Sequence, residues 1–177
     1  MSTIKKTVIA AVCVALCTVF PMAVHAIPKA GLIYTPMHIP VLLCGLITGP
    51  VTGFICGLTG PLISSLLTGM PASAMLPSMM AELAVYGLVT GLMCTFVKFG
   101  GPSVTIYVAL VTALLAGRVV GGLLKALIFS AGSYSLSVWF TSYFVTCLPG
   151  IIIQLVFVPA VMIALEKARL IPPLESR

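Results

Sequence analysis

The chain has 177 residues, of which 60% are hydrophobic and only 7% are charged. Soluble domains carry about 25% charged residues, and a mean hydropathy of +1.25 leaves too few polar side chains to cover a globule in water. The net charge of +6 comes largely from basic residues at the ends of apolar runs, which indicates a membrane topology and excludes a soluble nucleic-acid-binding domain.

The apolar runs predict an all-α, polytopic membrane protein: residues 1–177 form one compact bundle of six transmembrane helices, since a spanning helix needs about 20 apolar residues. The spans cover about residues 4–24, 37–49, 51–69, 78–97, 104–129 and 138–167. The first run resembles a signal peptide but is longer than the usual one, so we expect it to stay uncleaved. The second and third spans divide at Gly49-Pro50, because proline ends or kinks a helix; a re-entrant pair is the alternative.

The basic residues predict that both termini are cytoplasmic. With six spans and a cytoplasmic N-terminus, the outer loops contain a single lysine or arginine, Lys29. The cytoplasmic ends contain six: Lys5, Lys6, Lys98, Lys167, Arg169 and Arg177. This distribution follows the positive-inside rule. Five spans would place the N- and C-terminal charges on opposite sides of the membrane and remove the bias.

Three charged residues in the predicted spans cannot be assigned to helix ends: Glu82, Arg118 and Lys125. A charge in the hydrocarbon region costs roughly 2.5–3.5 kcal/mol or more and normally faces the bundle interior or a wet cavity, where it marks function. The helix directions and a rise of 1.5 Å per residue place all three in the outer half of the bundle. The same half contains Tyr34, Trp139, Tyr143 and Gln154.

These residues predict an outward-facing pocket for a small molecule, with an apolar lining and a few placed polar groups. The alternative is a structural Glu82–Arg118 ion pair, with Lys125 extending to the membrane interface. We expect no enzyme, metal or cofactor site, because the two histidines lie in different segments and no glycine-rich phosphate loop is present. The six cysteines all lie in apolar runs, without a CxxC pair, as small buried hydrophobes do.

Small residues recur every four positions, which predicts close approach of helix backbones in lipid. The repeats are Gly45, Gly49, Gly53 and Gly57, then Gly87 and Gly91, then Gly117 and Gly121. Ala11 and Ala15 repeat the spacing on the first helix. That face either packs inside the bundle or docks another membrane protein.

Four strings resemble the substrate-binding S components of energy-coupling factor (ECF) vitamin transporters: 37–50 (MHIPVLLCGLITGP), 60–71 (GPLISSLLTGMP), 82–91 (ELAVYGLVTG) and 149–155 (PGIIIQL). His38 and Tyr86, within these strings, complete the candidate substrate-binding residues. A similar Met-His-Ile-Pro binds metal at the mature N-terminus of nickel and cobalt S components. Here the string is internal, so that ligand set cannot form.

The resemblance implies a six-helix S component in the plasma membrane of a prokaryote. Such a subunit binds one vitamin or precursor, of the pantothenate, pyridoxine or hydroxymethylpyrimidine type, on its outer side. It delivers the substrate to an energising module of one transmembrane T component and two cytoplasmic ATPases, and the resemblance implies that Ala11 and Ala15 meet the T component. A standalone secondary transporter and a non-transport membrane scaffold are the alternatives.

Overall fold

The apolar runs fold into helices, and a computed structural model describes residues 1–97, 100–129 and 135–174. Every regular element in this part of the chain is helical. Six helical segments are long and apolar enough to cross a membrane: Thr3–Ala23, Ala30–Thr48, Pro50–Thr68, Leu76–Phe96, Pro102–Leu127 and Leu148–Lys167. The predicted all-α class with six membrane-crossing helices is therefore confirmed.

The eight α-helices are numbered in chain order. They are α1 (Thr3–Ala23), α2 (Ala30–Tyr34), α3 (His38–Thr48), α4 (Pro50–Thr68), α5 (Leu76–Phe96), α6 (Pro102–Leu124), α7 (Leu136–Phe140) and α8 (Leu148–Lys167). A π-helical turn, Lys125–Phe129, continues α6, and a second, Thr141–Val145, continues α7. Only Gly49 separates α3 from α4, and its φ of 102° allows the sharp turn that a glycine accepts.

Two segments differ from the helices that the sequence predicts. The second membrane-crossing segment begins at Ala30, before the predicted start at residue 37, and its first part is the short helix α2. Lys29 and Thr35, on either side of α2, have left-handed backbone conformations. The last span, predicted as one helix over 138–167, is divided at 146–147 into α7 with its π-helical turn and the separate helix α8. Pro149 causes the division, because it has no N–H to donate and restricts the residue before it.

Glycines bring α4 and α5 into backbone contact at the centre of the bundle. A Cβ on Gly53 would collide with the backbone of Gly87, and a Cβ on Gly87 would collide with the backbone of Gly53. A Cβ on Gly45 of α3 would meet the Gly87 carbonyl and the Thr90 side chain. All 11 residues of α3 are buried between these neighbours, whereas α1 buries only Cys13, Cys17 and Pro21. The glycine spacing therefore packs helices, as the sequence predicts.

The two ends of the bundle differ in which segments they contain. Met1, the Gly49 turn and Pro172 line one cavity, so the N-terminus and the segment at Pro172 lie at this end, which we call the terminal end. The 24–37 segment and the 69–75 segment meet at the opposite end, which we call the distal end. The positive-inside rule predicts a cytoplasmic terminal end. Two of the six basic residues that predict this orientation, Lys98 and Arg177, lie outside the described residues.

Candidate functional site

A cavity of about 300 Å³ at the distal end is lined by Glu82, Arg118 and Lys125, the three charged residues that the sequence places away from the helix ends. Five of the nine predicted substrate-binding residues line it: His38, Glu82, Arg118, Lys125 and Tyr143. The other lining residues are Gly31, Leu32, Thr35, Met75, Ser78, Met79, Ser142, Thr146 and Cys147. The volume is at the lower end of the range for small-molecule sites, and we call this space the charged compartment.

Glu82 is held in place by Tyr86, which lies behind the cavity wall, and by His38, which lines the cavity. The Tyr86 hydroxyl donates a hydrogen bond of 2.6 Å to Glu82 Oε1, and His38 Nε2 lies 3.8 Å from the same oxygen. Tyr86 is one turn after Glu82 on α5, which places both side chains on one helix face. The His38 and Tyr86 rings are 5.1 Å apart, centroid to centroid. Tyr86 therefore positions the carboxylate rather than lining the compartment.

Arg118 is the largest fully buried side chain of the described residues, with 1% of its surface exposed. Its Nε and Nη1 atoms have no hydrogen-bond partner there, and no ion pair within 4.0 Å joins it to Glu82. Its guanidinium carbon lies 5.4 Å from the centroid of the Phe144 ring. The structural Glu82–Arg118 pair is thus not formed, and an arginine with unsatisfied donors faces the compartment. Such burial is costly unless a partner compensates the charge.

Lys125 reaches the compartment from the π-helical turn that follows α6. Its ammonium nitrogen lies 5.1 Å from the centroid of the Tyr143 ring, and Tyr143 itself sits on the other π-helical turn. Such turns are frequent at functional sites because they redirect side chains within a helix. The compartment consequently contains two cations, Arg118 and Lys125, and one carboxylate that already accepts a hydrogen bond.

Gln154 acts on the compartment through Thr35. Its Nε2 atom donates to Thr35 Oγ1 at 2.6 Å, while its Oε1 atom has no partner within the described parts of the chain. Gly150, one turn earlier on α8, allows the close approach of α2: a Cβ there would lie 2.6 Å from Thr35 Oγ1 and 2.8 Å from the Tyr34 carbonyl oxygen. The packing of α2 against α8 therefore positions the wall of the site that Gly31 and Leu32 of α2 form.

Besides Tyr86 and Gln154, two more predicted residues do not line the charged compartment. Tyr34 is half-buried on α2 and is not among the lining residues. Trp139 lines a shallow groove with α6 residues, and its Nε1 atom donates to the Arg118 carbonyl oxygen at 3.1 Å. Trp139 therefore contacts the backbone that carries Arg118 and does not face the compartment.

Sequence reasoning missed several lining residues. Ser78 and Met79 lie four and three residues before Glu82, so the helical period alone could have placed them on its face. Thr35 and Cys147 lie in segments without a regular period, where no such signal exists.

A six-helix membrane bundle with a charged cavity at one end has the architecture of a membrane protein that binds a small molecule. The chain matches the family model of the ECF transporter substrate-specific component over residues 5–162, and it belongs to that family. No curated protein and no solved structure gives a significant match. Because it belongs to this family and has six membrane-crossing helical segments, the protein is a multi-pass membrane transport subunit and not an enzyme. Family membership implies a substrate and an ECF module with a T component and ATPases.

Proposed function

We propose that the protein captures a small, water-soluble vitamin or vitamin precursor that carries a carboxylate, of the pantothenate type, and passes it to an ECF module for ATP-driven import. The observation that carries this proposal is the buried Arg118 guanidinium, whose Nε and Nη1 atoms lack partners within the described residues. Arginine presents its donors in a planar fork that matches a carboxylate with two parallel hydrogen bonds.

The rest of the compartment supports a carboxylate over the alternatives. Lys125 adds a second cation, whereas the carboxylate of Glu82 already accepts the Tyr86 hydrogen bond. The unpartnered Nδ1 atom of His38, a residue that lines the compartment, would suit a hydroxyl or amide group, which pantothenate also carries. Pyridoxine and hydroxymethylpyrimidine have no carboxylate, and they would leave the Arg118 charge uncompensated.

The direction of capture follows from the charge distribution along the chain. The positive-inside rule predicts that the terminal end faces the cytoplasm, so the charged compartment at the distal end would open to the outside. Substrate would enter there without crossing the bundle, and energy would be supplied by the partner ATPases. Binding by the isolated protein should accordingly require no ATP.

The substrate proposal is tested by titrating pantothenate, pyridoxine and hydroxymethylpyrimidine into purified Arg118→Gln, Arg169→Gln and wild-type protein. Removing one member of a buried, hydrogen-bonded charge pair costs at least about 2 kcal/mol, or roughly 30-fold in affinity. We expect this loss in Arg118→Gln only, because Arg169 is exposed near the terminal end. The carboxylate proposal would be refuted if a folded Arg118→Gln protein bound pantothenate as tightly as wild type does. It would also be refuted if wild type bound pyridoxine more tightly than pantothenate.

The partner proposal rests on α1, where Ala11 and Ala15 are exposed on one helix face. Small residues at this spacing let another helix approach closely in the membrane, so we propose that this face docks the T component. Replacing both by leucine should abolish module-dependent uptake and spare substrate binding. Ala23→Leu is the matched control, because Ala23 is equally exposed at the distal end of α1. Uptake into liposomes that lack the module would instead favour a standalone transporter.

A further inference from the structure

The distal end contains a second cavity of about 430 Å³ beside the charged compartment. It lies between the end of α1, the following segment with α2, and the segment before α5. Its surface is mostly apolar, and the only ionisable residues among those that line it are His25 and Lys29. Four methionines contribute to its wall, so we call it the methionine compartment: Met37, Met70, Met75 and Met79.

The two compartments share part of their walls. Gly31 and Leu32 of α2, together with Met75 and Met79 at the start of α5, line both. One of these shared residues is a glycine without a side chain, and two are methionines, whose unbranched thioether chains adapt to the shape of a neighbour. These four residues therefore form the partition between the two spaces, and the flexible methionine side chains are the part of it that can move aside.

The relative depth of the two compartments follows from α5 and α6. A Cβ on Gly121 would lie 3.0 Å from Glu82 Oε2, and one on Gly117 would lie 3.0 Å from the Glu82 carbonyl oxygen, so Arg118 sits at the level of Glu82. Met79 and Met75 precede Glu82 by three and seven residues, which is about 4.5 and 10 Å along the helix axis. The methionine compartment thus lies nearer the distal surface than the Arg118 guanidinium.

We propose, on the basis of the proposed function, that the substrate is an amphipathic carboxylate whose apolar part occupies the methionine compartment. The carboxylate binds Arg118 at the deep level, and the apolar part extends outward past Met79. Movement of the two methionines in the shared wall would join the two spaces into one binding site. Affinity then depends on apolar contact as well as on charge, and substrates with the same carboxylate are distinguished by what fills the outer space.

The experiment measures the affinity of butanoate, hexanoate and octanoate through the fluorescence of Trp139, the one tryptophan of the chain. The variants are wild type, Met79→Gln, Met70→Gln and Met80→Gln; Met80 is the matched control, since it neighbours Met79 and lines neither compartment. Partitioning of each carboxylate into detergent is the same for every variant. The octanoate-to-butanoate affinity ratio, compared between variants, therefore reports on the protein alone.

In wild type and in Met80→Gln, affinity should increase about threefold to fourfold per added methylene. Met79→Gln should reduce the octanoate-to-butanoate ratio at least about tenfold. Met70 lines only the methionine compartment, so Met70→Gln should also reduce the octanoate-to-butanoate ratio. This variant replaces Met79→Gln in the test if Met79→Gln does not fold. A ratio that is the same in all four proteins overturns the inference.

The same measurement in Arg118→Gln separates this inference from the proposed function. If butanoate binds wild type and Arg118→Gln equally, the carboxylate does not bind at Arg118 and both proposals fail. If carboxylates bind through Arg118 without any effect of chain length, only the methionine compartment is wrong. Hexanamide and octanamide are the uncharged controls, and their binding should not change in Arg118→Gln.

Discussion

Cys147 provides a chemical probe of the proposed substrate site. It lines the charged compartment and is half-buried, whereas the other five cysteines are buried in the bundle, the most exposed of them Cys94 at 8%. Its thiol donates to the carbonyl oxygens of Leu32, at 3.2 Å, and Ser142, at 3.1 Å. A maleimide that reaches the compartment should therefore modify this cysteine first.

The rate of modification follows from the protonation state of the thiol. Burial raises the pKa of Cys147 above the ordinary cysteine value, and the charge of Glu82 raises it further, while Arg118 and Lys125 act in the opposite direction. Since the thiolate is the nucleophile and an ordinary cysteine has a pKa of about 8.5, less than about 3% reacts as thiolate at pH 7. The rate should increase about tenfold per pH unit and continue to rise above pH 8.5.

Bound substrate should block this reaction. With pantothenate at 100 times its Kd, about 1% of the sites remain empty, so modification should slow about 100-fold. Mass spectrometry of the Cys147 peptide measures the rate, and Cys147→Ser shows how much label the buried cysteines take up. Equal rates with and without saturating substrate would refute the placement of the substrate in the charged compartment. A rate that levels off below pH 8.5 would refute the effect of burial.

Two further predictions concern stability and use thermal unfolding in detergent. Gly87→Ala should destabilise the protein by about 1–3 kcal/mol, because the new methyl group collides with the backbone of α4, whereas Gly31→Ala meets no atom within 4 Å and should be nearly neutral; equal midpoints would contradict the packing argument. Tyr86→Phe should cost about 1.5–3 kcal/mol, since it removes a hydrogen bond to the carboxylate of Glu82. Tyr107→Phe, at a 46% exposed position, should leave the midpoint unchanged, and an equal loss in both variants would contradict this role of Tyr86.

The number of membrane-crossing helices is predictable from the sequence because the cost of exposing polar groups to lipid forces about 20 apolar residues into each span. The division before α8 is not predictable from the sequence, because a continuous apolar run has no polar residue to mark where a helix stops. Only Pro149 signals the new helix, and proline also occurs inside α1, α4 and α8, at Pro21, Pro61 and Pro159. Proline alone therefore does not distinguish a kink from a break.

The charged side chains of the site are predictable for the same energetic reason. A charge inside an apolar span is expensive, so Glu82, Arg118 and Lys125 stand out in the sequence. The methionines of the second compartment carry no such signal, because an apolar residue is equally favourable toward lipid, core or cavity. The level of Trp139 along the bundle is readable from topology, whereas the direction of its side chain, which faces the groove beside α6 and not the charged compartment, is not.

The packing of α5 against α6 determines how the charges can be used. Gly117 of α6 faces the Tyr86 ring, and Gly121 faces the carboxylate of Glu82, so the two helices approach closely along this face. Glu82 is then satisfied by Tyr86 on its own helix, and Arg118 keeps its donors free of an internal carboxylate. Had Arg118 paired with Glu82, a substrate carboxylate would first have to break that pair and leave a buried charge behind. In the function proposed here, the absence of that pair leaves the Arg118 donors available to the substrate carboxylate.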